Sequence, residues 1–229
     1  MATTTTYLNW KTAITSGNIG STANWSPAVS AIGSDDALVL AGTSSSEAIG
    51  VYGSVSAEDL DIENADVTVT SSLTTDLSSA DDWIEIGSGS TVTVNVDAAW
   101  TAPASITLGQ DSGTSATLNI NAGGSVSADA IYVGAAWQSP GAVANMTVQN
   151  GGKITVTDVA WSTEIGIGQG ATGTLTVTGS GSSFDAMPTG WTQTQNDDWF
   201  EVGDNGTGTL NIENDATFTA GNFEVDVSY

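Results

Sequence analysis

The segment GTGTLNIENDATF, at residues 206–218, decides the fold, because a close variant of it occurs earlier in the same chain. The variant is ATGTLTVTGSGSSF, at residues 171–184. In both, apolar and polar residues alternate through TLNI or TLTV, which is the period of a half-buried β-strand. A stretch of Gly, Ser, Asn or Asp follows, which is typical of a turn, and then another apolar residue. The segment therefore predicts a strand, a turn and a second strand that recur as a unit.

A second recurring element precedes each unit, and it consists of an apolar–x–apolar triplet that ends at a glycine. We align it as IEIG, ITLG, IYVG, IGIG and FEVG, at residues 84–87, 106–109, 131–134, 165–168 and 200–203. Next in each repeat come a strand triplet beginning at Leu118, Met146, Leu175 or Leu210, and a third apolar position at Val126, Ile154, Phe184 or Phe218. Three short strands per repeat, with no helical periodicity, predict an all-β parallel β-helix, a β-solenoid of roughly seven coils. We expect an inner ladder at those Leu and Met positions and an outer polar ladder of Asn119, Thr147, Thr176 and Asn211.

The repeat is weak near the start of the chain, which predicts a division into two parts. Residues 1–45 are expected to form an N-terminal cap and a first strand, since terminal repeats of solenoids are atypical. Residues 46–229 are expected to form the solenoid coils, with insertions at one corner. The insertions are assigned to residues 97–105, 158–164 and 186–199, and each contains a tryptophan, Trp100, Trp161 or Trp191. These rings either cover the edge of the solenoid or form a stripe that binds a neighbouring protein or a glycan.

The composition excludes several classes of function. The chain has 26 acidic residues, two lysines, no arginine, no histidine and no cysteine, and its net charge is −24. Binding of nucleic acid requires clustered Lys and Arg, so nucleic acid is not an expected partner. The missing histidines and cysteines exclude Ser-His-Asp and Cys-His nucleophiles, zinc sites built from those residues, and disulfides. No segment has the length and apolarity of a membrane span, so insertion into a membrane is not expected.

Two motifs give the chain a resemblance to a known group of proteins. The first is the series W…G…ANWSP…DDALVL within residues 10–40, and the second is the GTL-containing element quoted above. Both resemble the passenger regions of bacterial autotransporters and related giant secreted β-helix proteins. The resemblance implies that the β-helix is right-handed and that the protein is bacterial and lies outside the cell or on its surface.

Calcium is the cofactor that the composition favours, because it prefers six to eight oxygen ligands from carboxylates and carbonyls. The repeated phrase DDW-[IF]-E-[IV]-G places acidic residues at equivalent positions of two repeats, and DNGTG adds one more. The candidate metal ligands are Asp82, Glu85, Asp198, Glu201 and Asp204. The alternative is that these residues form turns and a solvated acidic face.

Catalysis is not expected, and no catalytic residue is assigned. Adjacent acidic pairs such as Asp81–Asp82 suggest a polysaccharide-degrading β-helix enzyme, which is the third hypothesis for function. However, neighbouring residues on a strand point to opposite faces, so a sequential pair is not a catalytic pair.

The leading hypothesis for function is structural, and it depends on the last strand. Phe223, Val225 and Val227 alternate with polar residues in a strand that has no proline or lysine to protect its edge. We therefore expect further copies of the chain to add there head to tail, giving an extracellular filament, layer or matrix. The alternative is an adhesin segment of a larger surface protein that presents the tryptophan-bearing corner to a glycan or to a host surface.

Overall fold

The computed structural model describes residues 6–33, 35–77, 83–87, 91–135, 141–158, 162–187 and 199–225. The strands within them are β1 (Thr6–Trp10), β2 (Ser16–Asn18), β3 (Trp25–Ser26), β4 (Asp36–Ala41), β5 (Ala48–Ala57), β6 (Asp59–Glu63), β7 (Asp66–Leu77), β8 (Trp83–Ile86), β9 (Thr91–Val96), β10 (Ala99–Leu108), β11 (Ser115–Ile120), β12 (Ser125–Ala135), β13 (Val143–Gln149), β14 (Lys153–Val156), β15 (Thr163–Ile167), β16 (Thr172–Thr178), β17 (Ser183–Ala186), β18 (Trp199–Val202), β19 (Thr207–Glu213), β20 (Thr217–Ala220) and β21 (Asn222–Val225). In these ranges the helical structure is one 3-10 turn, Thr22–Asn24, and they contain no helix long and apolar enough to cross a membrane.

The strands pair in three parallel rows. The glycine row, named for the glycine that follows most of its later triplets, contains β1, β4, β6, β8, the second halves of β10 and β12, β15, β18 and β21. The leucine row contains β2, the first halves of β5 and β7, β9, β11, β13, β16 and β19. The aromatic row contains the second halves of β5 and β7, the first halves of β10 and β12, β14, β17 and β20. The prediction of an all-β, mostly parallel, solenoid-like fold is therefore confirmed.

The inner ladder of the leucine row is confirmed in register. Leu118 pairs with Met146, Met146 with Leu175, and Leu175 with Leu210. The first three are 0% exposed, whereas Leu210, on the last strand of its row, is only partly buried. Strand β11 alternates half-buried and buried residues throughout, as a strand must when only one of its faces meets the core.

Polar side chains on the outward side of the same row bond from strand to strand. The Asn119 side-chain amide donates to Asn95 Oδ1 at 3.0 Å, and the Asn211 amide donates to Thr176 Oγ1 at 3.3 Å. The predicted outer ladder therefore lies where it was expected, and it adds cross-strand hydrogen bonds to the packing inside.

The aromatic row corrects the prediction of an insertion at residues 97–105. Strand β10 runs through this segment, and its register shifts between Ala102 and Ser105 at the boundary between two rows. Trp100 pairs with Leu73 on one side and with Val126 on the other. It belongs to an inward column that continues through Ile154, Phe184 and Phe218.

The structure also corrects the alignment of one glycine triplet. The sequence analysis ended this triplet at Gly168, but Ile165 pairs with Val133 and with Val202, which places the equivalent triplet at residues 163–165 and its glycine at Gly166. Gly166 has φ +74°, and a Cβ on it would lie 2.4 Å from the backbone carbonyl carbon of Thr207. Only glycine fits this tight contact, so Gly166 determines the register in which β15 pairs with its neighbouring strands.

The first strands lie inside the segment predicted as a cap. Strand β1 pairs in parallel with β4 on one edge and in antiparallel fashion with β3 on the other. The rings of Trp10 and Trp25 meet edge to face with centroids 5.1 Å apart, and their Nε1 atoms donate to the carbonyls of Ile14 and Ile19 at 2.8 Å. The upstream edge of the glycine row is therefore covered by the chain itself.

Candidate functional site

The outward side of the glycine row carries a column of acidic side chains, one on each of several consecutive strands. The column follows from the pairing, because in-register residues of parallel strands face the same side and lie about 4.8 Å apart. Its members in order are Asp61, Glu85, Thr107, Tyr132, Glu164, Glu201 and Glu224. Five of these seven are carboxylates, and Thr107 and Tyr132 divide them into an upstream and a downstream group.

Two members of the downstream group, Glu164 and Glu201, form a compact trio with Asp204, which lies in the turn after β18. One carboxylate oxygen from each lies within 4.8 Å of the others, and all three side chains are half-buried. Asp204 is held by the turn after β18, because its carbonyl accepts the N–H of Gly168 at 2.7 Å and its Oδ1 accepts the Asn205 amide at 2.7 Å. Burial raises the pKa of Glu164 to about 7, and the charges of Glu201 and Asp204 add to the effect. The three carboxylates therefore repel one another, and Glu164 tends to hold a proton near neutral pH.

The upstream members, Asp61 and Glu85, lie near two further carboxyl groups, those of Glu63 and Asp111. Burial raises the pKa of Asp61 to about 7, and the nearby charges of Glu85, Glu63 and Asp111 raise it further. Burial and the charge of Asp111 also raise the pKa of Glu63. The carboxyl groups therefore share one electrostatic neighbourhood, in which removing a proton from one makes ionising the next less favourable.

The structure brings together only some of the predicted metal ligands. Glu201 and Asp204 lie in the same trio, while Glu85 lies in the upstream group. Between Glu85 and Glu201 in the column come Thr107, Tyr132 and Glu164. The other two predicted ligands, Asp82 and Asp198, lie outside the described residues.

Sequence reasoning missed Glu164, because the alignment placed its triplet two residues too late. The segment EIGIG contains two glycines with the same spacing from an apolar residue, so alternation alone does not choose between them. One signal in the sequence does identify Glu164. It is an acidic residue two positions before a glycine, as Glu85 and Glu201 are.

Trp100 does not belong to an exposed stripe, which corrects its prediction as a binding residue. Its side chain is 1% exposed, and its Nε1 donates to Thr75 Oγ1 at 3.1 Å inside the core. A ring enclosed in this way contacts neither a glycan nor another protein. The other two tryptophans predicted for that corner, Trp161 and Trp191, lie outside the described residues.

The downstream edge exposes side chains whose in-register neighbours are buried. Phe223 pairs with Phe200, and their exposed fractions are 49% and 1%. Val225 pairs with Val202, and theirs are 54% and 7%. Ile212 of the leucine row is also exposed, at 47%. Val227, the third residue predicted for this interface, lies outside the described residues.

No protein-family model, curated protein or solved structure matches the chain in comparisons with known proteins. The resemblance to autotransporter passenger regions therefore stays a prediction, and the functional argument depends on the geometry of the acidic column and of the downstream edge.

Proposed function

We propose that this is a secreted bacterial structural protein whose downstream edge binds a further copy of the chain, so that the copies assemble into an extracellular filament, layer or matrix. We further propose a right-handed parallel β-helix of roughly seven coils, since connections between parallel strands of one sheet are right-handed in about 98% of cases. The resemblance described above supports the location outside the cell.

The observation that carries the proposal is the exposed downstream edge. Within the described residues, β19, β20 and β21 pair only with their upstream neighbours, β16, β17 and β18. Their free sides present backbone N–H and C=O groups next to the apolar side chains of Ile212, Phe223 and Val225. An uncovered edge of this kind pairs readily with a strand of another chain.

The two ends of the described chain are unlike, which determines the kind of assembly. The upstream edge of the glycine row is covered by β3, and in the aromatic row Gly20 packs closely against the carbonyl of Ser54, whereas in the described residues β2 of the leucine row pairs on one side only. A head-to-tail contact joins unlike surfaces and propagates, whereas a tail-to-tail contact joins two downstream edges and closes as a dimer. We propose the head-to-tail arrangement, with the leucine row of one copy continuing that of the next.

Cations are expected to assist this assembly. The net charge of −24 makes the copies repel one another, and cations in solution screen this repulsion. Calcium is the proposed cation, because the downstream trio offers only oxygen ligands.

Light scattering and electron microscopy of the 229-residue chain test the proposal, with and without calcium. The expected result is filaments or sheets of wild-type protein, lost in Ile212→Lys, because a charge on the edge of the leucine row opposes strand addition. Val143→Lys is the matched control, because Val143 is also exposed, at 39%, but lies on β13, a strand in the middle of its row and not at its edge. This variant should assemble like the wild type.

Two outcomes would contradict the filament. A dimer that does not grow, and that Val225→Lys dissociates, would indicate the tail-to-tail contact. A monomer at all calcium and salt concentrations would favour the alternative, a glycan-binding adhesin segment.

A further inference from the structure

Three buried side-chain oxygen atoms have no hydrogen-bond partner among the described residues, and all three belong to the upstream part of the acidic column or to the turn beside it. They are Asp61 Oδ1, Thr107 Oγ1 and Gln110 Oε1. Buried polar atoms in folded proteins are nearly always satisfied by the protein, by ordered water or by a bound ion. Three such atoms in one region therefore indicate a partner from outside the chain.

The pairing of the strands brings these atoms together. Glu85 on β8 is in register with Asp61 on β6 and with Thr107 on β10, so the three side chains stand on adjacent strands of the same face. Thr107 is 0% exposed, and its side chain lies in register between those of Glu85 and Tyr132, with its hydroxyl shielded from solvent. Gln110 and Asp111 come two and three residues after the end of β10, and the charge of Asp111 acts on Asp61.

The chain supplies little positive charge to this cluster. It has only two lysines in total. Lys11 Nζ donates to the carbonyl of Ala23 near the upstream end at 2.6 Å, and Lys153 lies on β14 of the aromatic row. Partly buried carboxylates without a nearby cation are unfavourable, because burial removes the water that otherwise solvates them.

We propose that Asp61, Glu85 and the Thr107 hydroxyl form the centre of a calcium-binding site on the outer side of the glycine row, with Glu63, Asp111 and Gln110 at its rim. All six side chains offer oxygen, which is the ligand atom that Ca²⁺ prefers. Mg²⁺ retains most of its water and requires a stricter octahedron, so it fits a buried group with neutral hydroxyl and amide oxygens less well.

This site is distinct from the downstream trio and from the assembly edge. Tyr132 lies in register between Thr107 and Glu164 in the column. Its ring packs at 5.8 Å from that of Trp83, and the two rings cover the outer side of the row between the acidic groups. Calcium binding here therefore does not require self-association, and the two properties are separable by substitution.

Titration calorimetry of the intact chain, after removal of divalent ions, tests the proposal. We expect saturable calcium binding in the wild type, and weakening of its affinity by about tenfold or more in Glu85→Gln, since affinity at such sites follows the number of charged ligands. Thr107→Val, which replaces the hydroxyl by a methyl group of similar size, should weaken calcium binding severalfold. Without calcium, its melting temperature should equal or exceed that of the wild type, because the substitution removes an unpaired buried hydroxyl.

Three control substitutions separate the site from other effects. Glu213→Gln removes an exposed carboxylate from β19, and Thr147→Val removes an outward hydroxyl from β13, and both should bind calcium as the wild type does. Glu201→Gln changes the downstream trio and should leave this site intact.

Several results would overturn the proposal. The first is that calcium binding does not saturate, and the second is that Mg²⁺ binds equally well. The third is that sodium at matched ionic strength gives the same binding signal as calcium. The fourth is that calcium affinity is unchanged in both Glu85→Gln and Thr107→Val. Loss of all binding in Glu201→Gln alone would assign the calcium to the downstream trio instead.

Discussion

Truncation of Leu175 to alanine should destabilise the protein strongly, because the structure leaves no room for the surroundings to close over the gap. Leu175 is 0% exposed and lies between Met146 and Leu210 in the inner ladder. Leu→Ala changes in well-packed cores cost about 2.7–5.0 kcal/mol, and the cost is largest where the cavity cannot collapse. Here parallel strands fix the backbone on both sides, so we expect roughly 3–5 kcal/mol.

The neighbouring positions provide internal controls for this value. Leu210→Ala should cost about half as much in the monomer, since Leu210 is only partly buried and packs against a neighbour on one side. Thr176→Ala, on the outward side, should cost less than about 1 kcal/mol, because it removes only a methyl group and a long hydrogen bond from Asn211.

Urea unfolding followed by circular dichroism measures these costs, at low protein concentration and with chelator so that self-association does not bury Leu210. The slope of the unfolding free energy against urea should be the same in all three variants. Equal costs for Leu175→Ala and Thr176→Ala would refute the assignment of inner and outer faces, because a slip of one residue exchanges them.

Three further results are expected from thermal or urea unfolding. Gly166→Ala should cost at least about 2 kcal/mol more than Gly151→Ala, because both glycines have positive φ but only the first is crowded by backbone; equal costs would contradict the tight corner. Stability in chelator should fall by roughly 1–3 kcal/mol from pH 5 to pH 8, after allowance for partial exposure, because burial raises the pKa values of Asp61 and Glu164 to about 7. The sign follows because the folded chain holds protons on these two carboxyl groups that the unfolded chain has already released. Their contribution to stability is therefore full below the unfolded-state pKa values near 4 and is lost as the pH rises through 7. A rise in stability over this range would contradict the prediction. Trp100→Phe should cost about 1–3 kcal/mol, since it leaves the hydroxyl of the buried Thr75 without its donor, and a neutral effect would indicate that the ring is not enclosed.

The inner ladder was predictable from the sequence because its signals are local. Alternation assigns Leu118, Met146 and Leu175 to one face, and the turn residues after each strand fix where the repeat begins again. Parallel stacking then pairs equivalent positions of successive repeats, so a correct alignment of the repeats is also a correct prediction of contacts.

The register at β15 was not predictable from alternation, because a shift of two residues keeps every side chain on the same face. The choice depends on the contact between Gly166 and the backbone of Thr207, which belongs to the next repeat. Trp100 was misplaced for a related reason. In β10 two rows join within one strand, without the turn that the repeat pattern led us to expect.

The candidate sites needed the cross-strand pairing. Asp61, Glu85 and Thr107 are far apart in the sequence, and Thr107 gives no sign in the sequence that its hydroxyl is buried and unpaired. Only the stacking of β6, β8 and β10 brings them together.

The difference between the two ends of the described chain has a mechanical consequence. The upstream end is held by the antiparallel strand β3 and by the enclosed rings of Trp10 and Trp25, whereas the downstream strands hold their apolar residues loosely. Under tension or during slow opening, such a stack unzips from the weaker end, one layer at a time. Amide hydrogen exchange should therefore slow progressively from β21 back towards β4, and each added layer at the downstream end would shield the layer before it from unravelling.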